Sequence, residues 1–442
     1  MNITLSQKIF LKSALKFLPK LSDKNLVKLS YLIAPLIPSQ HQGKLRYVRK
    51  LIKKKHPALG LIRRLLLDLH PNCREKFLEN FFFGGLINKS KKRKELLEKG
   101  WAPCFTVLIS PTMRCNLRCE GCYAQNYKKE DDLPYEVFDR VVDEAKRELA
   151  TALFTILGGE PFIKKDIFDI FKKHSDAYFQ VFTNGTLIDE EMAQKLVELG
   201  NVWPQISIEG FEYQTDKRRG KGVYKKIMRA MDILKEAKVP FGYSVCVTRY
   251  NIKEVVSDEF VDLMIRKGAL IGWYFLYMPV SGDKNTELMP TPEQRNYLRK
   301  RRAYIRSNKP LFIIDFWNDA PYVKGCIAAK DYVHINNYGD VEPCIFTHFA
   351  EVNIKNMSLK EAINCHFFRE VRKRQPFDEN LLMPCMLIDH PYVIRELCQK
   401  CKVHPTHPGA TTLLNELKDD LDKYSQGVHQ IYDKIWEEEH KK

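Results

Sequence analysis

Residues 113–125 read MRCNLRCEGCYAQ, with Cys115, Cys119 and Cys122 in a C-x3-C-x2-C pattern and Tyr123 directly after the third thiol. The stretch follows FTVLIS (105–110), an apolar run of strand length. Further strand-like runs come after it: LFTILGG, YFQVFTNG, WPQISIEG, FGYSVCVT and GWYFLYMPV. Helix-like segments lie between them, among them PYEVFDRVVDEAKREL, DIFDIFKKH, DEEMAQKLVELG, VYKKIMRAMDILKEAK and VVSDEFVDLMIRKG.

Near-continuous apolar strands separated by amphipathic helices mean a parallel sheet with helical crossovers. Six such units predict an α/β fold, a partial (β/α)6 TIM-like barrel spanning 104–311. Functional residues of such folds gather at the C-terminal strand ends. The three-cysteine loop leaves the C-terminal end of the first strand, at the mouth of the expected barrel.

Three other segments flank this core. Residues 1–103 read as a basic helical extension. Residues 1–70 hold eleven Lys, four Arg and two Asp, a net of +13 out of +17 for the whole chain. Lys8, Lys12, Lys16 and Lys20 recur every four residues, with Leu11, Leu15 and Leu18 as an apolar side. Such faces suit either a helix packed on the body or an interfacial helix on an anionic membrane. Nucleic acid is the weaker reading, because aromatic–basic interleaving is missing. Residues 312–410 form a small cysteine-rich unit that opens on a predicted hairpin, DYVHINNYGDVEPC, around an Asn-Tyr-Gly-Asp turn. Residues 411–442 form an amphipathic helix. Its stripe of Leu414, Leu417, Leu421, Tyr424, Val428, Ile431 and Ile435 is suited to cover the body.

No apolar run reaches the roughly 18 residues that span a bilayer. No signal peptide is read at the N-terminus. The expectation is a cytoplasmic chain whose residues 1–70 suit contact with the inner membrane face. The twelve cysteines then read as metal, cluster or redox ligands rather than disulfides.

Thiolates are soft ligands that select zinc or iron–sulfur clusters. A closed zinc site wants four ligands. Three thiolates on a cubane cluster leave one iron for a substrate or cofactor. The loop, its place after the first strand, GGEP (158–161) at the end of the second, TNG (183–185) after the third and SIEG (207–210) after the fourth together resemble the radical S-adenosylmethionine (SAM) superfamily.

That resemblance implies a [4Fe–4S] cluster on Cys115, Cys119 and Cys122 and SAM on its open iron. The implied chemistry is reductive cleavage to a 5′-deoxyadenosyl radical, hydrogen abstraction from an unactivated C–H, and an electron donor such as flavodoxin or ferredoxin. It also implies SAM contacts from Tyr123, Gly158, Gly159, Glu160, Asn184, Ser207, Glu209 and Arg218 or Arg219, with Asn251 a weaker candidate. Glu160 and the two glycines would receive the SAM ammonium. An arginine would clamp its carboxylate, since guanidinium pairs bidentately.

A second cysteine set lies downstream. Gly339 and Cys344 keep a G-x4-C spacing, Cys326 precedes them, and Cys385, Cys398 and Cys401 follow. This resembles the SPASM/twitch extension, which carries auxiliary iron–sulfur clusters. The dense C-x2-C-x5-C-x3-C run of the full pattern is absent, so one auxiliary [4Fe–4S] cluster is expected. Cys326 and Cys344 are its firm ligands. Two of Cys385, Cys398 and Cys401 complete it, with the Cys398–Cys401 pair favoured as a local chelate. His404 and His407 lie close enough in sequence to approach it. Cys73, Cys104, Cys246 and Cys365 remain; Cys104 and Cys246 read as core and Cys365 as a reserve ligand. Tyr274, Tyr277 and Asp283 are placed to face a substrate.

The leading functional expectation is a radical SAM enzyme with an auxiliary cluster and an open substrate class; one branch is C–H activation and C–C bond formation on a membrane-lipid chain, motivated by the basic N-terminus, which would hold the barrel mouth at lipid. The alternatives are a peptide-modifying enzyme of the ribosomal-peptide maturase type and a non-catalytic iron–sulfur electron-transfer protein. The sequence sets neither the oligomeric state nor the bond formed.

Overall fold

The structure is a computed structural model and describes residues 20–32, 34 and 39–440. The expected Lys8–Lys16 and Leu11–Leu18 faces lie outside the described residues.

Seven parallel strands follow one another: β1 (Thr106–Thr112), β2 (Leu153–Gly158), β3 (Tyr178–Thr183), β4 (Val202–Ser207), β5 (Gly242–Val247), β6 (Ile271–Leu276) and β7 (Phe312–Asp315). Two more, β8 (Tyr332–Ile335) and β9 (Val341–Glu342), complete a nine-stranded sheet in the order β7-β6-β5-β4-β3-β2-β1-β8-β9. The five predicted helices between the strands form, and a further one, Pro292–Asn308, lies between β6 and β7. Their ends carry identifiable caps. Asp189 accepts from Met192 N at the start of Glu190–Leu199, and Gly200 closes that helix in the left-handed region. Helix Glu212–Arg219, between β4 and β5, lies outside the predicted helical segments.

Two expectations need correction at the sheet edges. The parallel sheet does not stop at six strands, because Phe312–Asp315 pairs in parallel with β6. The expected hairpin does form as β8 and β9 in antiparallel register, but β8 also pairs in parallel with β1. The cysteine-rich unit therefore joins the barrel by backbone hydrogen bonds. A four-residue strand gives too short an apolar run to be separated from loop by pattern alone.

Within β1 the register with β2 shifts between Ile109 and Thr112. Pro111 stands there and has no N–H for the ladder. The irregularity ends the regular pairing where the chain turns into Met113–Cys115.

The N-terminal helices close the opposite end of the barrel. A helix over Phe77–Asn88, wound with π geometry, packs its rings on the first residues of the strands. Phe77 meets Tyr178 and Trp203 at centroid distances of 5.9 and 5.8 Å. Leu69, Leu270 and Ile271 belong to the same buried cluster. Donors from this module cap carbonyls that precede the strands: Arg64 reaches Ala269 O and Pro310 O, Asn72 reaches Val197 O and Glu198 O, and Asn80 reaches Ser175 O and Ala177 O. The described part of the basic module sits at the N-terminal strand ends, away from the cysteine loop. No helix among the described residues is long and apolar enough to cross a membrane.

The C-terminal helix covers the body, starting at Lys418 after a 3-10 turn over Ala410–Leu413. Leu417, Leu421 and Val428 of the predicted stripe are buried.

Candidate active site

The three-cysteine loop is held by the elements on either side of it. Gly159 N donates to Thr112 O at 2.9 Å and Glu160 N to Arg114 O at 2.8 Å, which lays the GGEP turn against the loop. Only glycine permits this approach. A Cβ on Gly159 would stand 2.2 Å from Arg114 O, and Gly158 has φ +115° with its Cβ position 2.4 Å from Thr112 O. The Tyr123 hydroxyl accepts from Gly158 N at 3.0 Å and donates to Gly158 O at 3.2 Å. Tyr123 thus locks the turn. On the other side Glu120 N donates to Arg218 O, and Tyr277 packs its ring on Gly121. Asn184 bonds Asn116 at 2.8 Å and points its amide at Cys115 Sγ, 3.7 Å away. Burial raises the thiol pKa of Cys115 and Cys119; the Arg219 charge opposes this at Cys119.

The polar residues of the mouth fall into two groups. Glu160 is fully buried and accepts from Thr183 Oγ1 (2.8 Å), Asn184 N (2.7 Å) and Phe162 N (3.2 Å). Burial nevertheless pushes its carboxyl up to about 7. A buried carboxylate held by neutral donors fits an incoming ammonium. In the second group, Glu209 pairs with Arg218 at 2.6 Å and with Arg219 at 2.5 Å. One carboxylate between two guanidiniums leaves a net positive charge. Arg218 Nε is buried with no hydrogen-bond partner, which fits an anionic ligand group. The donor set thus suits the ammonium and the carboxylate of an amino acid.

Several of the expected contact residues also bond within the fold. Glu209 orients the two arginines. Asn251 turns its amide to Glu209 O and Cys246 O, both at 3.0 Å, and so fixes backbone. Ser207 faces the barrel interior and meets Ser244 Oγ at 3.1 Å. Tyr274 does not face a substrate. It is fully buried, shares a 2.8 Å bond with Tyr243 and donates to Val255 O at 2.6 Å. Asp283 meets the Tyr277 hydroxyl at 3.5 Å. Cys246 is not sealed core. It is partly buried on the face shared with Ser244, its N–H donates to Glu209, and it sits in the field of Arg218. Cys104 and Cys73 are core as buried thiols, held at about 12 by burial.

The interior carries a wall that the sequence reading did not assemble. Phe182 of β3 meets Trp273 and Phe275 of β6 at 5.8 and 5.7 Å, across the barrel rather than along a strand pair. Phe316 stacks on Phe275 at 5.4 Å, and Phe346 meets both Phe275 (6.4 Å) and Tyr123 (6.3 Å). All five phenylalanine and tryptophan rings are partly buried rather than sealed. The period of two in GWYFLY places Trp273 and Phe275 on one face, which was the available signal. That the face meets Phe182 needed the barrel.

The second cysteine set divides. Cys326, Cys344 and Cys385 share one neighbourhood: burial raises all three thiols, and the Cys326 charge is felt at Cys385 and the Cys344 charge at Cys326. Tyr332 interacts with all three and donates to Cys344 Sγ at 2.9 Å. Cys398 pairs electrostatically with Cys401, which lies beside Glu351 and Glu370. The two sets are thus distinguished by their surroundings. Cys398 and Cys401 straddle the end of helix Pro391–Lys400, whereas Cys385 precedes that helix. His407 is buried against His348 at 2.6 Å, and the exposed His404 is 3.5 Å from Asp340. Cys365 lies near Glu351.

Comparison with known proteins identifies the family. The Radical SAM superfamily model matches residues 109–264, and the SPASM iron–sulfur cluster-binding domain model matches 326–402. The chain belongs to the radical SAM superfamily and carries a SPASM domain. It is an enzyme whose cofactors are SAM, the [4Fe–4S] cluster of that family and auxiliary iron–sulfur. The mycofactocin maturase MftC of Mycolicibacterium smegmatis is 31% identical over 299 residues, covering 64% of this chain and 76% of that protein. The AdoMet-dependent heme synthase of Methanosarcina barkeri is 23% identical, covering 66% and 89%. Among solved structures, SuiB of Streptococcus suis bound to SAM superposes with a TM-score of 0.53 at 19% identity, covering 72% of this chain and 77% of that one. SuiB has also been solved with its precursor peptide SuiA.

Proposed function

We propose that this enzyme abstracts hydrogen from a peptide side chain held between its two iron–sulfur sites. The observation that carries the reading is the aromatic wall Phe182, Trp273, Phe275, Phe316 and Phe346. It runs from Tyr123 beside one cysteine loop to Phe346, whose N–H donates to Cys344 Sγ at 3.5 Å. An apolar interior suits a side chain. Similarity to a maturase and likeness to an enzyme solved with a precursor peptide support the same reading. The position of the N-terminal module removes the geometric motive for a lipid.

In this reading Cys115, Cys119 and Cys122 hold the SAM-binding cluster, and Cys326, Cys344 and Cys385 hold the auxiliary one. The barrel unit runs from 104 to 315. When bound, the cluster and SAM supply a 5′-deoxyadenosyl radical. Glu160 and the Gly158–Gly159 backbone receive the ammonium, Arg218 receives the carboxylate, and Tyr123 positions the turn. The aromatic wall excludes water around the reacting carbon. Electrons come from a small donor such as flavodoxin or ferredoxin.

The test is isotopic. Enzyme reconstituted with iron and sulfide is given SAM, dithionite and, in turn, the peptide, lipid and tetrapyrrole fractions of a host grown in heavy water. Deuterium in 5′-deoxyadenosine from the peptide fraction is expected. Transfer from the lipid or tetrapyrrole fraction alone would overturn the peptide reading. No 5′-deoxyadenosine from any fraction would count against the ligand assignments.

A further inference from the structure

The C-terminal helix Lys418–His440 meets the segment that follows Pro376 and carries Cys385. There Asp378, His390 and His429 bring one ligand atom each within 4.8 Å of one another, the one such trio of His, Cys, Asp and Glu among the described residues. No motif predicts it, because its members lie 12 and 39 residues apart.

The orientation of each imidazole is already set. His390 is 2% exposed, and its Nε2 meets Met383 O at 2.8 Å. With Nε2–H donated to a carbonyl, Nδ1 carries the lone pair. His429 Nδ1 meets Asp433 Oδ2 at 3.1 Å, which leaves the lone pair on Nε2. Asn380 fixes Asp433 in turn, donating to its Oδ1 at 3.0 Å and to Tyr432 O at 3.0 Å. Asp378 Oδ1 accepts from Asn380 N at 2.7 Å. Ligand imidazoles that donate their outer N–H to a carbonyl or carboxylate are the usual support of a metal site. Beside the trio opens a cavity of about 370 Å³, lined by Asp378, Glu379, Asn380, Asp433, Trp436 and Glu437. Four carboxylates on its wall favour entry of a cation.

We propose that Asp378, His390 and His429 bind one divalent transition-metal ion of the zinc class, separate from the iron–sulfur sites. Two imidazoles and one carboxylate suit zinc, and three protein ligands leave a position for water. The ion ties the C-terminal helix to the chain that delivers Cys385. His390 N–H already bonds Cys385 O at 2.9 Å, so the clamp acts one contact away from the auxiliary site.

The test uses the full chain with its clusters reconstituted. The protein is passed over a chelating resin, incubated anaerobically with micromolar zinc chloride, freed of unbound metal and assayed for zinc and iron. One zinc per chain is expected, retained in the Cys398→Ser/Cys401→Ser variant. His429→Ala and Asp378→Asn should lose it with iron unchanged. Asp433→Ala, which removes only the orienting carboxylate, should bind zinc about 10–100-fold more weakly. X-ray absorption at the zinc edge should give nitrogen and oxygen neighbours near 2.0–2.1 Å. A sulfur shell, zinc retained in His429→Ala, or no zinc in the unmodified protein would each overturn the proposal.

Discussion

Replacing Glu209 by Gln should destabilise the barrel strongly. Glu209 is 1% exposed, and the Arg218 and Arg219 side chains it pairs with are 13% and 10% exposed. In the native chain three buried charges sum to +1. The amide leaves two buried cations with no counter-charge. Breaking a buried ion pair by removing one partner costs about 3–5 kcal/mol, mostly from the charge left behind. Solvent screening gives little relief at this burial. Gln still accepts one hydrogen bond, so the expected loss is about 3 kcal/mol, a large part of the roughly 5–15 kcal/mol that holds a domain folded. With a urea slope near 3 kcal/mol per molar, at the upper end for proteins, the midpoint should fall by about 1 M. The assay is urea unfolding of the cluster-free chain under reducing conditions, followed by tryptophan fluorescence. Adding Arg219→Gln to Glu209→Gln removes one orphaned cation and should recover part of the loss. A midpoint shift under about 0.3 M, or a double variant weaker than the sum of the singles, would refute the buried-charge argument.

Other outcomes follow from the same geometry. Burial holds Glu160 at about 7 in the fold against an ordinary 4.5, so the cluster-free folded chain keeps that proton longer than the unfolded one. The stability contribution of this group therefore falls as pH rises from about 4.5 to 7; Glu160→Gln should flatten that slope in pH-dependent urea titrations. Gly159→Ala would put a methyl 2.2 Å from Arg114 O, a contact that must move backbone. It should abolish SAM binding by isothermal titration while circular dichroism stays near native. Cys385→Ser should lose the auxiliary iron, and Cys398→Ser should keep it, as read by iron analysis. Arg295→Met should cost about 3–5 kcal/mol in urea unfolding, because Asp389, fully buried and 2.6 Å from Arg295, loses its counter-ion. Arg295→Met/Asp389→Asn should recover much of it.

Much of the fold was legible in the chain. Six strands were readable because a parallel strand buried on both sides is a nearly unbroken apolar run, and LFTILGG or FGYSVCVT can be little else. The cysteine loop was legible because its three thiols are local in sequence, as is the GGEP turn with its obligatory glycines. The C-terminal stripe was legible because helical periodicity is local too.

Contacts between elements were decided only in three dimensions. Cys398 and Cys401 are close in sequence, whereas Cys385, 41 residues after Cys344, shares the surroundings of Tyr332 with Cys326 and Cys344 only through the fold. Tyr274 and Trp273 are neighbours, but the pleat sends one into packed core and the other into the interior, where it meets Phe182 from three strands away. The basic N-terminus read as a surface for a membrane. Its described helices instead close the far end of the barrel, since their rings find the first residues of β3, β4 and β6. Local patterns set which elements form, because backbone periodicity and turn chemistry are short-range. Which side chains meet depends on strand order and docking, to which residues far apart in the chain all contribute.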